Sequence, residues 1–156
     1  MADKNYTSPN NVAVAPVPTI RIDPTTGLPA IPMLGNVDAL LMTHTAAAAG
    51  AVSVDQTNSN GRGVQIGINV SAITGVTAAI TAIIEGRDMA SGVYYTLFAS
   101  AAIAAAGFTL LTLYPGSLAV ANLVTNQILP RTWRLRTVIS GASPSVTATV
   151  GASVIV

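Results

Sequence analysis

Apolar and polar residues alternate with a period of two along several stretches of the chain, the signature of strands with one buried and one wetter face. Val64, Ile66, Ile68, Val70 and Ala72 alternate with Gln65, Gly67, Asn69 and Ser71. Beyond Thr74-Gly75, Val76, Ala78, Ile80, Ala82 and Ile84 alternate with Thr77, Ala79, Thr81, Ile83 and Glu85. This predicts two antiparallel strands joined by a turn at Thr74-Gly75. Near the C-terminus Val146, Ala148, Val150, Ala152 and Val154 alternate with Ser145, Thr147, Thr149, Gly151 and Ser153. The run from Leu129 to Ile139 behaves the same way. Trp133, Leu135, Thr137 and Ile139 point to one side and Thr132, Arg134, Arg136 and Val138 to the other, with Pro130 at the strand's start, where no ladder hydrogen bond is lost. Trp133 and Leu135 are the expected core anchors.

Turn chemistry separates further elements. The glycine-bounded turn over residues 86–92 leads into the β-forming stretch 93–100, which predicts another hairpin. Residues 108–114 predict a strand closed by Pro115-Gly116. Residues 37–45 fit a short strand or a helical turn, with the strand preferred, and 117–128 fit a loop or a short helix. Residues 55–61 are dense in turn formers, and Asn60-Gly61 suits positions of positive φ. Seven or eight short strands without a long helix predict an all-β fold, an antiparallel β-sandwich or jelly roll. The small inward residues Ala72, Ala78, Ala82 and Ala148 imply closely packed sheets.

The first 35 residues read differently, because six of the chain's nine prolines lie there. We read residues 1–35 as an extended proline-rich arm and 36–156 as the β-sandwich domain. Prolines such as Pro16 and Pro18 hold the backbone extended and remove donors, so this segment cannot enter a central sheet. Its apolar content leaves two readings, a tail without fixed structure or an arm that becomes ordered along a neighbour. In the second, Pro16, Val17, Pro18, Ile20, Arg21 and Ile22 are the candidate partner contacts.

Composition narrows the function classes. The 156 residues are 51% hydrophobic but only 8% charged, with a net charge of +1 and no cysteine. No basic field exists to drive nucleic-acid binding by counterion release. Disulfides and thiolate metal sites are excluded. The apolar run 97–111 is shorter than the about 20 residues of a spanning helix and lacks Lys/Arg flanks, so no membrane segment is expected. The N-terminal residues lack the apolar core of an export signal. A surface so poor in charge suits burial against other subunits, as in a homo-oligomer.

Catalytic chemistry finds little support. The one histidine, His44, sits between two threonines and reads as a structural residue of a half-buried strand. No cluster of histidine, cysteine or carboxylate suggests a metal, and no cofactor motif is present. Glu85 and Asp88 flank Arg87 in a turn and read as solvated loop charges. Asn5 and Asn69 match the glycan acceptor pattern, which carries no meaning without an export signal. Arg134 and Arg136, about 7 Å apart on one strand face, are either a solvated surface or a grip for carboxylates of a partner. We expect a protein that is not an enzyme.

Several motifs together carry a resemblance. Asp55-Gln56-Thr57-Asn58 followed by Arg62-Gly63-Val64, then Glu85-Gly86-Arg87-Asp88 before Ser91-Gly92-Val93-Tyr94-Tyr95-Thr96-Leu97, then Leu113-Tyr114-Pro115-Gly116, and finally Leu129-Pro130-Arg131-Thr132-Trp133-Arg134, resemble a family of small β-sandwich virion proteins of tailed bacteriophages. The likeness runs from about Leu40 to the end, with Arg87 where lysine is common. It implies a structural protein of the virion, made in the host cytoplasm and bound to the outside of the capsid as a decoration or cement protein. The implied partners are the major capsid protein and further copies of the chain, as a trimer or similar cluster. Alternatives are a tail or fibre-base structural module, and a carbohydrate-binding sandwich for host adsorption with Tyr94, Tyr95 or Tyr114 as stacking platform.

Overall fold

A computed structural model describes residues 36–156. The expected arm over 1–35, with Pro16, Val17, Pro18, Ile20, Arg21 and Ile22, lies outside the described residues. The remainder is all-β: β1 (Val37–Ala47), β2 (Gln56–Thr57), β3 (Gly63–Arg87), β4 (Tyr94–Ala99), β5 (Gly107–Leu113), β6 (Val124–Thr125) and β7 (Thr132–Ile155). The main path through the sheet is β1-β7-β3-β5-β6, with β2 added to β7 and β4 to β3. All pairings are antiparallel except β5 with β6. No described helix is long and apolar enough to cross a membrane, and the run 97–111 divides among the end of β4, a loop and β5.

The expected hairpin at Thr74-Gly75 is not formed. β3 runs on through these residues as one 25-residue strand, and the segments expected as separate strands near Trp133 and Val150 are likewise one 24-residue strand, β7. The two lie antiparallel from Gly63 opposite Ile155 to Gly86 opposite Trp133. Register shifts mark the middle, between Val70 and Ala72, Thr74 and Val76, and Val76 and Ala79. There Gly75 and Gly141 take φ of 116° and 113°, and Thr77 and Ser143 are also positive. Residues that fit a hairpin also fit a bend, and here the partner is a strand bending alongside rather than the chain's own return. The bulge after Val70 also swaps faces, so Ala72 is exposed rather than inward, and Val76 stands out at the bend.

Each half of this ribbon has its own flanking strands. β1 and β5 border the first half of β3 and the last half of β7, whereas β4 and the 51–57 segment border the other. Alternation then places Val64, Ile66, Ile68, Val146 and Val150 from one half and Ile80, Ile84, Trp133 and Leu135 from the other in one buried cluster. The sheet thus forms a sandwich-like fold from both ends of the same two strands. Ala78, Ala82 and Ala148 are buried as expected. Trp133, 1% exposed, is the largest core side chain; its Nε1 is the only buried side-chain polar atom without a partner among the described residues. Burial of the indole outweighs that orphan donor, which costs about 1–3 kcal/mol.

The turn at 55–61 closes differently from the expectation. Asn60 and Gly61 do not take positive φ; instead the side chain of buried Asn58 accepts from Gly61 N at 2.7 Å and donates to Gly61 O at 2.7 Å and Leu129 O at 3.0 Å. An asparagine side chain thereby does the work of a backbone turn.

A Cβ at Gly75 would lie 2.7 Å from the Ser143 carbonyl oxygen, in a backbone conformation that L residues rarely adopt. Gly75→Ala is expected to cost about 2 kcal/mol or more in urea-unfolding free energy. At Gly116, where φ is +85° but the surroundings are open, the same change is expected to cost about half as much.

Candidate functional site

The second half of the ribbon carries most of the described charge on its outer face. Glu85 on β3 lies directly opposite Arg134 on β7, and Arg136 sits two residues farther along the same face. Arg134 Nε donates to Glu85 Oε2 at 2.8 Å and Arg136 Nε to Oε1 at 2.7 Å. Glu85 is only 6% exposed, so it is not the solvated loop charge that its neighbours in sequence suggest. Burial by itself would raise its pKa. The hydrogen bonds and positive charges of Arg136 and Arg134 outweigh that and hold the carboxyl below its ordinary value.

A roof of side chains crosses the strands above this clamp. The Arg134 guanidinium lies 3.3 Å from the centre of the Tyr94 ring on β4. The Tyr94 hydroxyl donates to Asp55, at 2.7 and 2.8 Å from its two oxygens, and Arg87 Nη1 reaches Asp55 Oδ2 at 3.3 Å. The Asp55 carboxylate keeps the Tyr94 phenol protonated, raising its pKa. Asp55 precedes β2, on the far side of β7, so this chain of contacts ties β2, β7, β3 and β4 together. Three guanidiniums face two carboxylates, which leaves one unmatched positive charge.

The motif glycine at position 86 is explained by close approach. A Cβ on Gly86 would meet the Tyr95 ring at 2.7 Å and Pro130 at 2.9 Å. Asp88 closes the β3–β4 turn by accepting from the Ser91 hydroxyl and from Ala90 N and Ser91 N, and these bonds lower its pKa. Segments quoted separately along the sequence, Asp55 to Asn58, Glu85 to Asp88, Tyr94 and Tyr95, and Leu129 to Arg134, therefore meet in one place.

The candidate residues are distributed as follows. Trp133 and Leu135 are buried core residues. Arg134 and Arg136 lie on the opposite face, where Glu85 takes a hydrogen bond from each, and both side chains stay partly exposed. One face of the Tyr94 ring is taken by Arg134. Tyr95 is half exposed over Gly86, and Tyr114 lies beside Arg62. The carboxylate between the arginines was missed in the sequence, because only the register of β3 against β7 sets Glu85 opposite Arg134.

His44 is buried in β1, with Nε2 3.1 Å from the Thr137 hydroxyl of the opposing half of the ribbon. Thr137 Oγ1 also accepts from Ala51 N at 2.9 Å. Desolvation lowers the His44 pKa, so the ring is neutral and bridges the two layers. Among the described residues no group of three or more histidines, cysteines or carboxylates is placed to hold a metal ion. Comparison with family models, curated proteins and solved structures finds no match to the chain.

Two outcomes follow. Glu85→Gln leaves two guanidiniums facing a neutral amide, with an expected loss of about 2–3 kcal/mol in unfolding free energy at pH 7. For His44 the folded pKa lies below the ordinary 6.5, so the unfolded chain binds the proton first. Its contribution is complete above pH 6.5 and is lost as pH falls below it; Glu85 repeats this below its ordinary 4.5. Urea midpoints at pH 7.5 and 5.5 are expected to differ less in His44→Gln than in the unaltered protein.

Proposed function

We propose that the protein is a structural component of a tailed-bacteriophage particle, a decoration or cement protein that binds the outside of the capsid and stabilises it. The observation that carries this reading is that four of the resemblance-bearing segments, Asp55 to Asn58, Glu85 to Asp88, Ser91 to Leu97 and Leu129 to Arg134, come together around Glu85, Asp55 and Tyr94. Residues that are scattered in sequence but assembled in space support a shared fold rather than chance likeness. Their roles in that unit are structural, which accords with a protein that works by attachment.

The titratable groups support the same reading. His44 is neutral and bonded inside the core, Glu85 is held by two arginines, Asp55 by Tyr94 and Arg87, and Asp88 by its own turn. Each is engaged in bonds that hold strands or a turn together. In this reading the β domain stands on the shell as a trimer or similar cluster, against the major capsid protein. Residues 1–35, with Pro16 to Ile22 at their centre, clamp neighbouring subunits, and the exposed edge of Arg134 and Arg136 offers a further contact. Binding energy then adds directly to shell stability by mass action.

Shells lacking the protein, mixed with the full chain or with residues 36–156 alone, test this. The full chain is expected to bind on the order of hundreds of copies per shell, as a lattice requires, and to raise the temperature of shell rupture. The truncated chain is expected to bind weakly and protect little. Equal protection by both would remove the clamping role, and recovery with tails after heads and tails are separated would assign the protein to the tail.

A further inference from the structure

The outer face of the other half of the ribbon has an unusual floor. Where β1, β7, β3 and β5 lie side by side, one rung reads Leu40, Gly151, Gly67, Leu110. Its two central positions carry no side chain, and an open trough of about 550 Å³ lies over them. Leu40 and Leu110 form its sides, and Phe108, 68% exposed, stands over one end with its ring edge toward Gly67.

The fold does not require these glycines. Neither has a positive φ. A Cβ on Gly151 would meet nothing nearer than the Ala39 carbonyl oxygen at 3.5 Å, an ordinary contact; one on Gly67 would press on two ring carbons of Phe108 at 3.1 Å, and that exposed ring is free to shift by the few tenths of an ångström required. Glycine weakens the interior of a strand, and where the backbone does not call for it, it marks a place that something else approaches closely.

The rungs on either side say what kind of molecule that is. Ser153 is paired with Gln65, and Thr149 with Asn69, so hydroxyls and amides flank the bare floor and line the trough. These groups both donate and accept, and none is bonded to another side chain among the described residues. Asp38 is the one charged residue in the lining. An anionic ligand would face that carboxylate with no cation among the described residues that line the trough, and a hydrocarbon would strip water from four polar side chains without replacing it. A ligand with apolar C–H faces and a rim of hydroxyls satisfies both the apolar sides and the polar rungs.

We propose that this trough binds a neutral saccharide, with Phe108 against a sugar face, Gln65, Asn69, Thr149 and Ser153 on its hydroxyls, and Gly67 and Gly151 keeping the floor open. The site lies on the opposite half of the ribbon from the Glu85 clamp and is independent of attachment to a capsid. It differs from a platform of Tyr94, Tyr95 or Tyr114.

The test is titration of the full chain with neutral hexasaccharides of glucose, mannose, galactose and N-acetylglucosamine, followed by amide NMR shifts. At least one series is expected to move the amides of Asn69, Thr149 and Gly151, with a Kd on the order of 0.1–1 mM for so open a site. Phe108→Ala and Gly151→Leu are expected to weaken binding about tenfold or more. Gly151→Ala is expected to weaken it while leaving Tm unchanged or higher, the separation that a purely structural glycine would not show. Tyr95→Ala should bind as the unaltered chain does. The proposal is overturned by no shift with any series at about 10 mM, or by binding that survives both Phe108→Ala and Gly151→Leu. It is also overturned if Asn69→Cys, the only thiol in a cysteine-free chain, is shielded from a thiol reagent in an oligomer, which would give the face to a second copy.

Discussion

Everything in this structure hangs on the pairing of β3 with β7. Two strands of 25 and 24 residues are more than twice as long as any other described strand, and each supplies both layers of the core. Neither half can fold as a separate sheet, since its central strands continue into the other. The bend at Gly75 and Gly141 is therefore a constraint on the whole molecule. It sets which residues of Ile66, Ile68, Ile80 and Ile84 meet, and it brings His44 of β1 to Thr137 of the opposite layer.

The two ends of the ribbon solve different problems. At the Trp133 end the flanking strands are short, β2 with two residues and β4 with six, so the ladder alone ties them weakly. Side chains make up the difference: Glu85 joins β3 to β7, Arg134 stacks across β3 onto Tyr94, and Asp55 fastens the loop before β2. A chain with so few charges thus concentrates them where they link strands. At the other end β1 and β5 pair over longer stretches, the outer face needs no such straps, and its two central positions are glycines.

Much of this was legible in the sequence because period-two alternation reports burial directly. Val64 to Val70, Trp133 to Thr137 and Val146 to Ala152 all face as their pattern predicts. Connectivity was not legible at Thr74-Gly75, because the same residues permit a hairpin or a bend and the difference lies in a partner strand more than 60 positions away. The bulge that turns Ala72 outward is invisible for the same reason. Among the site residues, the faces of Trp133, Leu135, Arg134 and Arg136 could be read, whereas the burial of Glu85 could not: local sequence placed it beside a turn, and only the long-range register sets it opposite Arg134. Asn58 likewise reads as a turn former, while its bond to the Leu129 carbonyl depends on tertiary structure.

Native-state hydrogen exchange distinguishes one continuous bent pair of β3 and β7, shared by both layers, from two separate hairpin-like halves. β3 has a neighbour on each side in both halves, so amides over residues 64–70 and 80–84 should exchange only through a common opening, with the same free energy and denaturant dependence as global unfolding. If the two halves opened with separate free energies, or if 80–84 exchanged while 64–70 stayed protected, the strands would be independent elements and the account would be contradicted.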